Sequence, residues 1–273
     1  MEIRAAHRVG ACLAVVLGGM VWVAACDVSV RDGNVSVSAF SGRATEEWTK
    51  RYPLTQNGLV EVVNINGAVD VVTGQDGVVE VHATRTVRAL TDEAARERLQ
   101  ALTIEESVSD GRVRLETRVS APADRASQEV HYRISTPRGS QVDILTTNGA
   151  ISVAGVQGRV KASTTNGSVT GEALAGGVEA ATVNGAIQVD LAGVGPAGVR
   201  LESVNGALHL RVPDEIRANL SARCVNGRIA VTGLPVPGTG DRHTRQFDAQ
   251  LNGGGPSIEL RTTNGAISVD GKT

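Results

Sequence analysis

The side chains of this 273-residue chain that could move protons, attack a substrate or hold a metal are few and scattered. His82, His131, His209 and His243 lack the close His, Cys or Asp spacing that a zinc site needs, so no metal ligands are assigned. No G-x-S-x-G elbow is present, and no catalytic residue or cofactor is expected. Gly193 to Gly198, GVGPAG, satisfies the dinucleotide pattern G-x-G-x-x-G, yet Pro196 and the following VRLESVNG read as strand, with no helix N-terminus to face a phosphate. The remaining candidates are Cys224, weighed below as thiol or core residue, and the loop Pro235 to Phe247, PVPGTGDRHTRQF. There Arg242, His243 and Arg245 could recognise an anionic glycan or protein, against the alternative of an ordinary solvated loop.

Cys26 carries a different chemistry. Arg4 and Arg8 precede an uncharged apolar run from Val9 to Ala25, which ends in Val23-Ala24-Ala25-Cys26. This VAAC resembles the bacterial lipobox, which implies a signal peptide over 1–25 and diacylglycerol, with palmitate-type acylation, on Cys26. A plain secretory signal or a single membrane anchor is the alternative, since 17 apolar residues are at the short limit for spanning hydrocarbon. Lipid attachment would anchor the chain in the cell envelope, facing the periplasm or exterior, each buried methylene contributing about 0.8 kcal/mol. Asp27 resembles the residue that retains some lipoproteins in the inner membrane, but that rule varies between lineages and leaves sorting open. Cys12 leaves with the signal, so no intramolecular disulfide is expected.

The elements that position these residues are read from composition and period. The chain is 41% hydrophobic but only 2% aromatic, with 32 glycines, which favours a tightly turned core of Val, Ile, Leu and Ala. Net charge is −2 without a long basic run, so nucleic acid is not an expected partner. Asn-Gly recurs at Asn66, Asn148, Asn166, Asn184, Asn205, Asn226 and Asn264, and TTNGAISV occurs word for word at Thr146 to Val153 and Thr262 to Val269. Aligned on each Asn, positions six and four before and three and five after are apolar in nearly every copy, Gly171 excepted. Spacing by two means strand with one buried face. Two before each Asn from Asn148 onward stand Thr146, Thr164, Thr182, Ser203, Cys224 and Thr262, which makes Cys224 a substitute for a buried hydroxyl residue in preference to a catalytic thiol.

A meander of Asn-Gly hairpins would give the same parity. The period near 20 and the identical turns favour stacked coils, each laid on the one before, with the asparagines bonded in a ladder. GRVKASTTNGSVTGEALAGGVEAATVNGAIQVDLAG and LNGGGPSIELRTTNGAISVDG resemble the bacterial adhesin-like family of β-strand-repeat envelope proteins, over about Asn57 to Gly271. The resemblance implies an all-β, single-stranded right-handed parallel β-helix, or β-solenoid, and no catalytic residues.

The expected organisation is a signal peptide, a polar tether and cap over 26–53, and the repeat domain over 54–273 with an insertion at about 85–130. A DGN turn at Asp32 to Asn34 would allow a short hairpin in the tether, and Trp48 and Tyr52 would cover the first open end, an aromatic ligand platform being the alternative. In the insertion, Thr91 caps a helix running to Leu102, and Asp110-Gly111 turns a hairpin. Arg85, Arg88, Arg96 and Arg98 are read as solvated charge in preference to an acidic-partner site. Two function classes follow: a non-enzymatic envelope lipoprotein for adhesion, scaffolding or envelope-stress signalling, partnered by a membrane and an envelope protein or glycan, and a glycan-active β-helix enzyme.

Overall fold

The computed structural model describes the backbone of residues 13–17, 20–24, 27–31, 34–38, 41–120, 127–235, 240–242 and 245–272, and the side chains of 41–120, 127–235 and 245–272. Cys26 and the peptidase site lie outside the described residues. Asp27–Arg31 pairs antiparallel with Asn34–Ser38, and Leu13–Leu17 pairs with Met20–Ala24. No helix among the described residues is long and apolar enough to cross a membrane.

The chain divides into two compact units. The first draws on Met1–Glu46, Arg85–Thr103 and Arg118–Glu129. Its helix, Asp92–Ala101, starts where the sequence places it: the Thr91 side chain accepts from the Ala94 amide, and Ala95 and Leu99 are the buried positions. Arg43 N–H donates to Asp92 at 3.0 Å, and Arg85 pairs with Glu46 at 2.7 Å.

The second unit comprises Glu47–Thr84, Ile104–Thr117 and Val130–Thr273. Each repeat contributes two short strands that meet at the Asn-Gly corner and go to different sheets. Thus Val160–Asn166, Val178–Asn184 and Val199–Asn205 lie side by side in one sheet, while Val169–Leu174, Ile187–Leu191 and Leu208–Pro213 lie side by side in the other. Pairing within these runs is parallel and in register, Asn opposite Asn. The alternation read from sequence explains why: the apolar columns all point between the sheets, and Val60, Val142, Val160, Val178, Val199, Leu220 and Ile258 are each at most 4% exposed. Full burial of one such side chain is worth about 1.5–3 kcal/mol. At Gly171, the one gap in the pattern, the strand bulges, Ala173 takes φ 51° and Leu174 swings in to fill the space.

The single-stranded right-handed parallel β-helix is not what forms. The fold is all-β with two large mixed sheets, of 10 and 11 strands, and two of its features contradict successive stacking in chain order. First, Ser257–Asn264 lies between Val199–Asn205 and Ala218–Asn226, so the last repeat is inserted ahead of the one that precedes it in sequence. Second, antiparallel strands finish this end: Gln246–Leu251 on Ala218–Asn226, and Gly240–Arg242 on Ile229–Thr232. The physical reason is that the corner sequences are interchangeable. A repeat as uniform as TTNGAISV fits beside any other copy, and the long connection after Asn226 lets the chain double back before the last copy is laid down.

A further pair of strands carries no Asn-Gly mark. Arg112–Val119 runs parallel to Leu59–Val63, and Ser127–Thr136 parallel to Val69–Thr73, burying Val113, Leu115, Tyr132 and Ile134 in the same columns. Its corner is closed by Asn64, whose amide donates to Val130 O at 2.9 Å and Asn66 O at 3.2 Å and whose oxygen accepts from Thr117 at 2.9 Å. Tyr52 is buried, with its hydroxyl donating to Glu106 at 2.6 Å, and burial first, then that carboxylate, raise its pKa. Trp48 is half-buried.

Candidate functional site

All seven predicted corner asparagines come together in one ladder. Asn148 donates to Asn66 at 2.7 Å, Asn166 to Asn148 at 2.7 Å, Asn184 to Asn166 at 2.9 Å and Asn205 to Asn184 at 3.0 Å. The order then leaves the sequence: Asn264 donates to Asn205 at 2.7 Å and Asn226 to Asn264 at 2.8 Å. Every Nδ2 in this series donates in the same direction.

The glycine after each Asn is required by close approach. φ is positive at Gly67 and Gly265 but not at Gly149, Gly167, Gly185, Gly206 or Gly227, so a turn conformation is not the common cause. A Cβ on Gly185 would lie 2.0 Å from Gly167 O, one on Gly265 2.1 Å from Gly206 O, and one on Gly227 1.9 Å from Gly265 O. Behind the corner, Thr164, Thr182, Ser203 and Thr262 each donate a hydroxyl to the glycine carbonyl of the neighbouring repeat, at 2.9 to 3.1 Å. Cys224 holds the same column, buried, and burial raises its thiol pKa.

Beside this ladder the outward face forms a groove of about 610 Å³. Its walls are the positions one and three before each Asn. Along the stacking order they run from Leu145 and Ser163 through Ala181, Val183 and Val204 to Thr263 and Val225. Large apolar side chains rarely stand in a row in solvent. Here Leu145 is 52% exposed, Val183 41%, Val204 42% and Val225 56%. One end is basic: Arg223 and Arg261 are direct cross-strand partners, both exposed.

Of the loop predicted to bind, Arg245 is exposed, and its carbonyl accepts from the Cys224 amide at 2.9 Å, which brings it to that basic end. Arg242 is described as backbone of an edge strand only, and the side chain of Arg242 and all of His243 lie outside the described residues. Phe247 is half-buried opposite Ala222. His209 is exposed on the other sheet, His82 sits 3.1 Å from Thr49 Oγ1, and His131 Nδ1 accepts from Ala68 N at 3.2 Å, so the three do not converge. Among the described residues no group of three or more His, Cys, Asp and Glu could hold a metal. The groove escaped the sequence reading, though its signal is there: Val183, Val204 and Val225 repeat at an outward position.

Among solved structures, the chain is similar to a Clostridium sporogenes protein provisionally named for cell adhesion, at 12% identity and TM-score 0.50, over 84% of this chain and 100% of that one. A Bacteroides fragilis protein provisionally named an adhesin matches at 12% identity and TM-score 0.42, over 83% of this chain and 97% of that one. A Parabacteroides distasonis protein provisionally named for lipid binding matches at 8% identity and TM-score 0.23, over 83% and 97%. No protein-family model matches the chain, and no curated protein does. The resemblance to adhesin-like β-repeat proteins is thus met as a likeness of fold.

Proposed function

We propose that this is a non-enzymatic cell-envelope lipoprotein, anchored through Cys26, whose two-sheet β body holds out a binding face for adhesion, scaffolding or envelope-stress signalling. The observation that supports the reading is the groove beside the Asn ladder, where in-register repeats align exposed Leu145, Val183, Val204 and Val225 into one apolar row. Each strand under that row is hydrogen-bonded on both sides, so the face is held at fixed spacing without depending on a ligand. Its partner is an envelope protein or glycan.

The test places a photo-crosslinking residue at Val204 of the full chain in living cells, with His209 on the other sheet as the control. A discrete adduct from position 204 and none from 209 is expected. No adduct at 204, or turnover of a polysaccharide by the purified chain, contradicts the reading. Anchoring is tested separately: Cys26→Ser is expected to abolish palmitate incorporation, and unchanged incorporation rules it out.

A further inference from the structure

The groove has a polarity that its role as a binding face does not by itself require. Positions three before each Asn run, in stacking order, Leu145, Ser163, Ala181, Glu202, Arg261, Arg223. The row passes from three uncharged residues through the carboxylate of Glu202 to two adjacent arginines within the length of one groove, about 24 Å at the usual inter-strand spacing.

Arg223 and Arg261 stand side by side on parallel neighbours, an arrangement that costs energy unless an anion sits between them. The nearby carboxylates offset this pair only in part: Glu259 reaches Arg261 itself, Glu202 faces Arg261 from the next strand, and Asp248 feels Arg223, but each is also held by another partner or lies at long range. Glu202 accepts from Arg200 Nε at 3.0 Å, Glu259 takes Arg261 at 3.4 Å, and Asp248 accepts from Ser221 and Gln246, each at 2.7 Å. Arg245 adds a third positive charge at this end, close enough to act on the Cys224 thiol.

The apolar stretch selects against a peptide. A chain lying along the groove crosses the strands, and their amides and carbonyls are already spent between repeats, so a peptide backbone would lose water over Ala181, Val183 and Val204 without regaining partners. A hydrocarbon chain has no such groups to satisfy. We propose that the groove binds a single acyl chain ending in a carboxylate, its methylenes along Leu145, Ala181, Val183 and Val204 and its carboxylate between the guanidinium groups of Arg223 and Arg261. Guanidinium forks suit a carboxylate in two-point contact. This rests on the reading of the face as the binding surface.

The test uses a palmitate analogue with a mid-chain diazirine, added to membranes carrying the full chain and mapped by mass spectrometry after illumination. Label is expected on the strands bearing Ala181, Val183 and Val204. Arg223→Ala with Arg261→Ala should cut it roughly tenfold, the loss of a charge-assisted contact, while an alcohol analogue of the same length labels weakly and ignores that change. Val204→Asp should cut both, with circular dichroism of the variants matching the parent. Absent or scattered label, label indifferent to Val204→Asp, or equal label from a diacyl phospholipid probe would overturn the assignment. If palmitate fails while the Val204 crosslink persists, the ligand class is wrong and the binding face stands; if palmitate labels these strands and no crosslink forms, the acyl-chain assignment stands and the envelope protein or glycan partner is what falls.

Discussion

Asn264 Nδ2 donates to Asn205 Oδ1 at 2.7 Å although the two lie 59 residues apart in the chain. Asn226, which follows Asn205 in sequence, reaches it only through Asn264. The same order is written in the glycines, where Gly265 abuts Gly206 and Gly227 abuts Gly265.

An interior ladder position uses both ends of its amide within the ladder, whereas Asn226, at the end of the series, uses only its donor there. Asn184→Ala strands the donor of Asn205 and the acceptor of Asn166, and should cost about 1–2 kcal/mol. Asn226→Ala removes a single bond at the end of the series and should cost less. Urea unfolding of the two variants checks the order.

Gly185→Ala places a methyl 2.0 Å from Gly167 O, and the obstacle is backbone that cannot move without parting two strands. A loss of about 3 kcal/mol or more is expected, at the upper end for overpacking. Gly77→Ala, with φ +81° but open space around it, should cost only the left-handed strain of about 1–2 kcal/mol. Thermal unfolding of the pair separates steric approach from φ.

The apolar columns and the corner asparagines were legible because both repeat at fixed offsets. The order of the repeats was not, since copies as alike as Thr146 to Val153 and Thr262 to Val269 carry no information about which neighbour each takes. Arg112–Val119 was legible as an arm of the Asp110-Gly111 hairpin, but its place beside Leu59–Val63, and that of Ser127–Thr136 beside Val69–Thr73, were not, because Asn64 and Thr117 do there what Asn-Gly does elsewhere. The groove was missed for a related reason: an outward parity was read as wet, and its valines were not counted as a row.

Thr146 differs from the other members of its column. Its hydroxyl is buried without a partner, because Asn64 Nδ2 already occupies Gly67 O at 3.1 Å. Thr146→Val should therefore be neutral or stabilising, whereas Thr164→Val loses the bond to Gly149 O and should cost about 1 kcal/mol. Denaturant midpoints decide.

Asp248 sits on the closing antiparallel strand with its carboxyl held below the usual range, chiefly by hydrogen bonds from Gln246 and Ser221. A depressed folded pKa adds stability that is complete above the unfolded value of about 4 and is lost as pH falls through the folded one. Asp248→Asn should flatten the fall in urea midpoint below that pH; an unchanged fall would assign it to other groups.

The most direct measurement is oxidative crosslinking of the full chain in a Cys224→Ser background. Val204 and Thr263 are on adjacent strands at matching positions, within disulfide reach, while Val204 and Val225 are two strands apart. Val204→Cys with Thr263→Cys should form the bond, and Val204→Cys with Val225→Cys should not. The opposite pattern would mean that the repeats stack in chain order and that the groove does not exist as described.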